Sequence, residues 1–335
     1  MSRINTVARK IALAVVALVV AGTLGMGVGE AKIPLKIGWN SSDGATDPLA
    51  IMAHEFAKNI ELLAPGEFEP KLFPNAQLGQ EKEMIEGLSF GTIDVSVINN
   101  SPVANVVPAF QLNDLPFLYG SPAQAAEVLD GPVGQILLSK LTEKNIIGLG
   151  FAENGFRNMV NNVRPVAKPE DVVGVKYRVM ENPLYIEMFR ALGGNAVPMA
   201  WGEVFTAMQQ GTIDGLEIPV AIVANNKFYE VAKYLSLDNH TYSALVVMMA
   251  KKTWDKLNPD QRLAALRATE AAKTVQRAQN AKNLDALIAE IEQKGMKVNT
   301  IANPAEFRAK VGKVYDMFRD KIGADLLERA LAAVK

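Results

Sequence analysis

Asn154-Gly155-Phe156-Arg157-Asn158 opens, and Gly211-Thr212-Ile213-Asp214-Gly215-Leu216-Glu217-Ile218-Pro219 closes, the stretch whose reading decides the fold. Arg157 and, further along, Arg178 stand in short runs with Gly, Asn and Pro rather than on charged helical faces. The planar guanidinium fork matches a carboxylate with two parallel hydrogen bonds, so both are candidate carboxylate clamps. Each could equally be an ordinary surface arginine. The tetrapeptide Gly211-Thr212-Ile213-Asp214 repeats Gly91-Thr92-Ile93-Asp94. Both copies follow a helical pattern, over 81–88 and 202–210, and both lead into a strand pattern that ends at Asn99-Asn100 or Ile218-Pro219. Glycine tolerates the left-handed conformation that stops a helix, and an aspartate just inside a strand can bond nearby amides. Two unrelated helix-to-strand turns would read alike. The other reading is two domains of like topology, each ending such a strand at a shared cleft.

Outward from that stretch, short strand patterns alternate with helical ones, which predicts an α/β architecture. Residues 35–38 read as a first strand and 68–73 as a second. Between them 48–63 reads as a helix, with Leu49, Met52, Phe56, Ile60 and Leu63 at helical spacing and Pro48 in its first turn. The C-terminal third differs. Asn258 can cap a helix, Pro259 suits its first position, and no breaker follows until Gly295. The result is a helix of about 35 residues, roughly 50 Å long, enough to bridge two domains. Leu263, Leu266, Leu284, Leu287, Ile288 and Ile291 form its expected apolar stripe. Helices over 304–321 and 323–334 complete the chain.

The N-terminus reads as an export signal: Arg3, Arg9 and Lys10, then an apolar run over 11–21, then Gly29-Glu30-Ala31. The apolar run is shorter than the ~20 residues of a spanning helix. Cleavage is expected near Ala31, releasing a mature chain that does not itself span the membrane. Cysteine is absent, which removes thiolate catalysis and thiolate metal sites, and the only histidines are His54 and His240. Metal centres and Ser-His-Asp triads are therefore poorly supplied, and no cofactor motif is present. A net charge of −1 argues against a nucleic-acid partner. Glu203, Asp214 and Glu217 could support acid–base chemistry, but a helix N-terminus and a turn account for the first two. His240 could reach a hinge or a ligand, or be a hydrogen-bonded structural residue.

Several runs, in order and spacing, resemble the extracytoplasmic solute receptors of tripartite ATP-independent periplasmic (TRAP) transporters. They are 73–79 (FPNAQLG), 115–118 (LPFL), Arg157 with 161–166 (NNVRPV), 174–179 (GVKYRV), 198–205 (PMAWGEVF) and 210–215 (QGTIDG). The resemblance covers the whole mature chain. It implies a two-domain, type II-like, hinged α/β periplasmic binding protein that is not an enzyme and works without cofactor. Crossing strands and the long helix would join a domain of 32–154 plus 244–283 to one of 155–243 plus 284–335, after a signal of 1–31. It implies that Arg178 makes the main two-pronged bridge to a ligand carboxylate and that Arg157 supports it. Its other cleft positions fall on Asn40, Glu81, Asn99, Glu181, Trp201 and Ile218. The partners it implies are a small-molecule carboxylate and the small and large permease subunits, in the periplasm.

The sialic acid binders of this family carry asparagine where Ile218 stands, an acid where Asn99 stands and a phenylalanine-type platform where Trp201 stands. With Trp39 and Phe117, these departures point to a less polar pocket. The expected ligand is a monocarboxylate with an apolar or aromatic body, such as an aryl or branched 2-oxo or 2-hydroxy acid. A C4-dicarboxylate or sugar acid is the alternative within the family; a periplasmic enzyme or a sensor subunit is the alternative outside it.

Overall fold

A computed structural model describes residues 31–334. The expected signal lies outside them but for Ala31. In chain order, β1 (Ile33–Gly38), helix Pro48–Leu63, β2 (Phe68–Phe73), helix Glu81–Phe90, β3 (Val95–Asn99) and helix Asn100–Val106 make a first β-α-β-α-β-α run. Helices Pro122–Asp130 and Pro132–Lys140 lead to β4 (Ile146–Asn161). A second run follows: β5 (Lys176–Val179), helix Pro183–Ala191, β6 (Asn195–Pro198), helix Val204–Gln209, β7 (Gly215–Pro219) and helix Val220–Asn225. After β8 (Tyr234–Ala250) come the long helix Pro259–Gln293, β9 (Lys297–Thr300) and helices Pro304–Ile322 and Ala324–Ala333. Among the described residues no helix is long and apolar enough to cross a membrane.

The two runs repeat one topology, with strand orders β2-β1-β3 and β6-β5-β7. The repeated tetrapeptide is what locks each. Gly91 and Gly211 both end a helix at φ +71°, a region that costs an L side chain. Three residues on, Asp94 accepts the Lys36 amide and Asp214 the Lys176 amide, each at 2.9 Å. Each aspartate also returns its own N–H to the same lysine's carbonyl. One short motif thus pins β1 beside β3 and β5 beside β7, in parallel.

Two antiparallel strands cross between these halves. β4 and β8 are 16 and 17 residues long and pair from Ile146↔Ala250 to Asn161↔Tyr234. β3 joins β8 at its C-terminal end, while β7 joins β4 at Arg157–Asn161. All nine strands of the described residues therefore form one sheet. The β4–β8 register slips at Gly148/Gly150, Glu153/Gly155 and Arg157/Met159. Such irregularities bend a strand and steepen its twist.

The long helix starts as the sequence predicts, with Asn258 and Gln261 forming a capping box. Its packing face matches the expected apolar stripe only near the C-terminal end, where Leu287 and Ile291 are buried. Leu263, Leu266 and Leu284 are 39–45% exposed, whereas Ala264, Ala265, Ala268, Thr269 and Ala272 are buried. Small side chains let helix Pro48–Leu63 approach closely, and that contact outweighs burying leucine at the same turns. Gln276, fully buried, then clips this helix to both the N–H and C=O of Glu153, and to the Pro48 carbonyl. The expected helix over 202–210 begins as a 3-10 turn, Trp201–Glu203, and is α-helical from Val204.

The tetrapeptide's role has a measurable consequence. Asp94→Ala and Asp214→Ala each strand a strand amide and should lower unfolding free energy by about 1–3 kcal/mol in urea titrations.

Candidate functional site

The parallel strands of both halves end at one cavity, as open α/β sheets place their ligand sites. Asn40 follows β1, Asn99 ends β3, Arg178 and Met180 mark the end of β5, and Ile218 and Pro219 end β7. Glu81 and Trp201 add to the wall, each standing ten residues before its Gly of the repeated motif. The cavity holds about 30 Å³ of open space, room for roughly two waters. It continues through Glu81, Arg178, Met180 and Trp201 into a vestibule of about 580 Å³.

Arg157 and Arg178 differ sharply in what they hold. Arg157, on β4, gives its Nε–H to the Glu217 carboxylate, and Nη2 bonds Glu217 Oε1 at 2.8 Å and the Glu217 carbonyl at 2.6 Å. Nη1 reaches Ser243 Oγ at 3.4 Å, and the Tyr185 ring lies 5.5 Å from the guanidinium. Four of its five N–H groups are thus committed. Burial opposes its charge, but Glu217 outweighs that and holds the pKa above the usual arginine value. Arg157 is consequently a neutralised strut, and only one N–H remains for anything else.

Arg178 has no such partner. Nε and one Nη2 hydrogen both go to the Met199 carbonyl, at 2.9 and 2.6 Å, and among the described residues it makes no ion pair. Yet it is only 3% exposed. Burial pushes its pKa down to about 10; Glu217 pulls it back up, and the neighbouring Arg157 charge pushes it down again. At neutral pH it stays cationic, buried, with three N–H groups unspent. Burying a charge without a direct ion pair is costly, and an anion delivered to this fork lowers the cost.

A buried network fixes Arg157 from behind. His240 donates to Asp238 Oδ2 at 2.9 Å and to Glu217 Oε2 at 3.3 Å. Burial disfavours its charge, but Asp238 and then Glu217 overcome that and raise its pKa to about 9. Arg157⁺, Glu217⁻, His240⁺ and Asp238⁻ thereby alternate. Glu217, which burial alone would raise, is held below the ordinary carboxylate range by Arg157 and His240. On the other wall Glu81 accepts from the Asn99 backbone at 3.1 Å and its side chain at 2.7 Å, and Asn99 Oδ1 accepts from Asn154 at 2.8 Å. Burial raises the Glu81 pKa.

The structure brings together Arg157, Arg178, Asn40, Glu81, Asn99, Trp201 and Ile218. Glu181 is exposed in the vestibule rather than in the inner cavity. Trp39 is fully buried behind the site, its indole N–H on the Ser42 carbonyl at 3.1 Å. Phe117 lies elsewhere, beside Arg308 at 5.6 Å, with its N–H on the His240 carbonyl at 2.7 Å. Both leave the cavity because their rings fill core rather than cleft. Sequence reasoning missed Asn154 and Met180 as wall residues and Glu217 as the partner of Arg157. The pairing Arg157↔Pro219 across β4 and β7 sets Glu217 two residues along, on the same face.

Two like halves, strand ends converging between them and one buried guanidinium without an ion pair among the described residues define a receptor for a small anion. Residues 40–321 match the model of bacterial extracellular solute-binding protein, family 7, and the chain belongs to that family, the periplasmic solute receptors of TRAP transporters, which bind organic acids and are not enzymes. The 2,3-diketo-L-gulonate-binding periplasmic protein YiaO of Escherichia coli is 35% identical over 316 residues, 93% of this chain and 96% of that one. A TRAP solute-binding protein from Polaromonas sp. JS666, solved with D-erythronate, superimposes with TM-score 0.87 at 34% identity, covering 90% of this chain and 99% of the other. The sugar acid binding protein DctPAm of Advenella mimigardefordensis, solved with galactonate, gives 0.87 at 33% identity, covering 91% and 99%.

The two arginines should separate in stability measurements. Arg157→Met strands Glu217 and should cost about 3–5 kcal/mol. Arg178→Met removes an unpaired buried charge and should leave the ligand-free melting temperature unchanged or higher. His240 adds a pH signature. Its folded pKa of about 9 exceeds the usual 6.5, so its stabilisation is complete below 6.5 and lost as pH rises through 9. That amounts to roughly 3 kcal/mol, and His240→Gln should flatten the pH 7–9 stability slope in denaturant titrations.

Proposed function

We propose that this chain captures a hydroxylated monocarboxylate, of the aldonic or sugar-acid kind, and delivers it to the small and large membrane subunits of a TRAP permease. The carboxylate docks on Arg178, and the single observation that carries this reading is that this buried guanidinium makes no ion pair among the described residues. Two further features support the hydroxyls. Asn40 Oδ1 and Asn154 Oδ1 are buried acceptors without partners, which a hydroxyl can satisfy and a carboxylate or methyl cannot. The vestibule that receives the body of the ligand carries Glu81, Glu83, Glu86 and Glu181 against Lys82 and Arg178, a surround that repels a second carboxylate. Similar receptors hold D-erythronate and galactonate. Trp201, half-buried at the cavity and 5.7 Å from the Phe228 ring, keeps the aryl or branched 2-oxo acid as a second reading.

Binding is coupled to closure of two lobes, which we draw as 32–154 with 244–283 and 155–243 with 284–335. Thr46 Oγ1 meets Asn225 Oδ1 at 3.1 Å on one side of the cavity, and Asn105 Nδ2 donates to the Glu181 carbonyl at 2.6 Å on the other. These contacts favour a closed form, and a ligand touching both walls shifts the population further by its differential affinity. The permease reads that form. Export with cleavage near Ala31 places the receptor in the periplasm.

Calorimetry on the mature chain tests the ligand. D-galactonate should bind, galactarate, its counterpart with a second carboxylate, should bind at least tenfold more weakly, and Arg178→Ala should cost at least a hundredfold, about 2.7 kcal/mol or more. Equal binding of both acids, preference for phenylpyruvate, or an unaffected Arg178→Ala variant would each contradict the reading.

A further inference from the structure

β4 walls a second cavity, of about 450 Å³, that the ligand site does not use. Leu284, Leu287 and Ile288 of the long helix cover it, and Ala123 and Ala126 of helix Pro122–Asp130 close one side. Most of this lining is apolar, and Glu153 is its one carboxylate. Glu153, 7% exposed, makes no ion pair among the described residues. Its carboxylate takes a hydrogen bond from the Tyr242 hydroxyl at 3.3 Å and a long one from Asn280 Nδ2 at 3.5 Å. The nearby cation, Arg277, is committed to Asp130 and to the Phe151 carbonyl. Asn280 gives its amide to the Glu153 carbonyl at 3.0 Å and Asn154 gives its amide to Asn99 at 2.8 Å. The Oδ1 atoms of both are buried and unpartnered, as is Arg277 Nε.

We propose that this chamber is a second binding site, for a small organic ammonium ion: a primary amine on an apolar body. An ammonium group carries three donors and no acceptor, matching the two oxygens of the Glu153 carboxylate and the unpartnered Asn280 Oδ1. It also supplies the direct ion pair Glu153 lacks, so the Glu153 pKa, raised by burial, would fall on binding. The body of the amine packs on the exposed leucine that the long helix leaves here, Leu284, which explains an apolar residue on an otherwise polar turn. Asn154 lines both cavities and hydrogen-bonds Asn99 of the carboxylate site. The two sites therefore share a residue, and each ligand changes the affinity of the other by the same factor.

The test uses the mature chain and 2-phenylethylamine, with 2-phenylethanol as the neutral analogue. Calorimetry should show one amine bound per chain and at least tenfold weaker binding of the alcohol. Glu153→Gln should weaken the amine at least tenfold and leave the alcohol unchanged. Ala281→Trp, at an exposed helical position that lines the chamber, should exclude both. Melting temperatures near wild type confirm that each variant is folded. Failure of the amine to bind wild type overturns the proposal. So does wild-type amine affinity in the folded Ala281→Trp variant, which decides the matter should Glu153→Gln not fold.

Discussion

A guanidinium buried without an ion pair organises this molecule. Arg178 sits at the end of a short strand, its Nε side tied to the Met199 carbonyl and its other edge turned to a cavity. Twenty-one residues earlier in the chain, Arg157 shows what a satisfied arginine looks like in the same surroundings: Glu217 on its fork and His240 behind. The contrast assigns the roles. One arginine holds the crossing strand β4 to β7, and the other is kept electrostatically hungry. Such strain is tolerable only because the rest of the fold over-determines it, and it is stored where a ligand can release it.

The repeated halves explain how that arginine reaches the cleft. Lys36 and Lys176 occupy equivalent places, each pinned by the aspartate of its tetrapeptide. Two residues on, the first half has Gly38 and the second has Arg178. Trp201 likewise answers to Glu81. One topology used twice thus gives a cavity with a cation on one wall and an acid–amide chain, Glu81 to Asn99 to Asn154, on the other. The crossing strands and the long helix keep those walls in register, with Gln276 fastening the helix at the bend beside Gly155.

Much of this was legible in the chain itself. Helix Pro48–Leu63 and the long helix announce their starts with capping residues and prolines, and Gly91 and Gly211 mark helix ends by a conformation few residues adopt. That Arg178 lines the cavity agrees with the placement its motif implied by resemblance. What sequence could not carry was partnership. Nothing local distinguishes Arg157 from Arg178; the difference is a glutamate 60 positions away, brought close by strand pairing. Trp39 and Phe117 failed as cavity residues for the related reason that aromatic side chains serve cores and clefts alike. The apolar stripe of the long helix held at Leu287 and Ile291 but failed at Leu263, Leu266 and Leu284, because alanine packing depends on the opposing helix, which composition does not reveal.

The most direct measurement is a crystal structure of the receptor carrying its natural guest, identified by mass spectrometry of the released molecule. The account predicts a carboxylate on the free edge of Arg178, hydroxyls at Asn40 and Asn154, and Glu217 still seated on Arg157. A guest whose acid group sits on Arg157, with Glu217 displaced and Arg178 untouched, would contradict it.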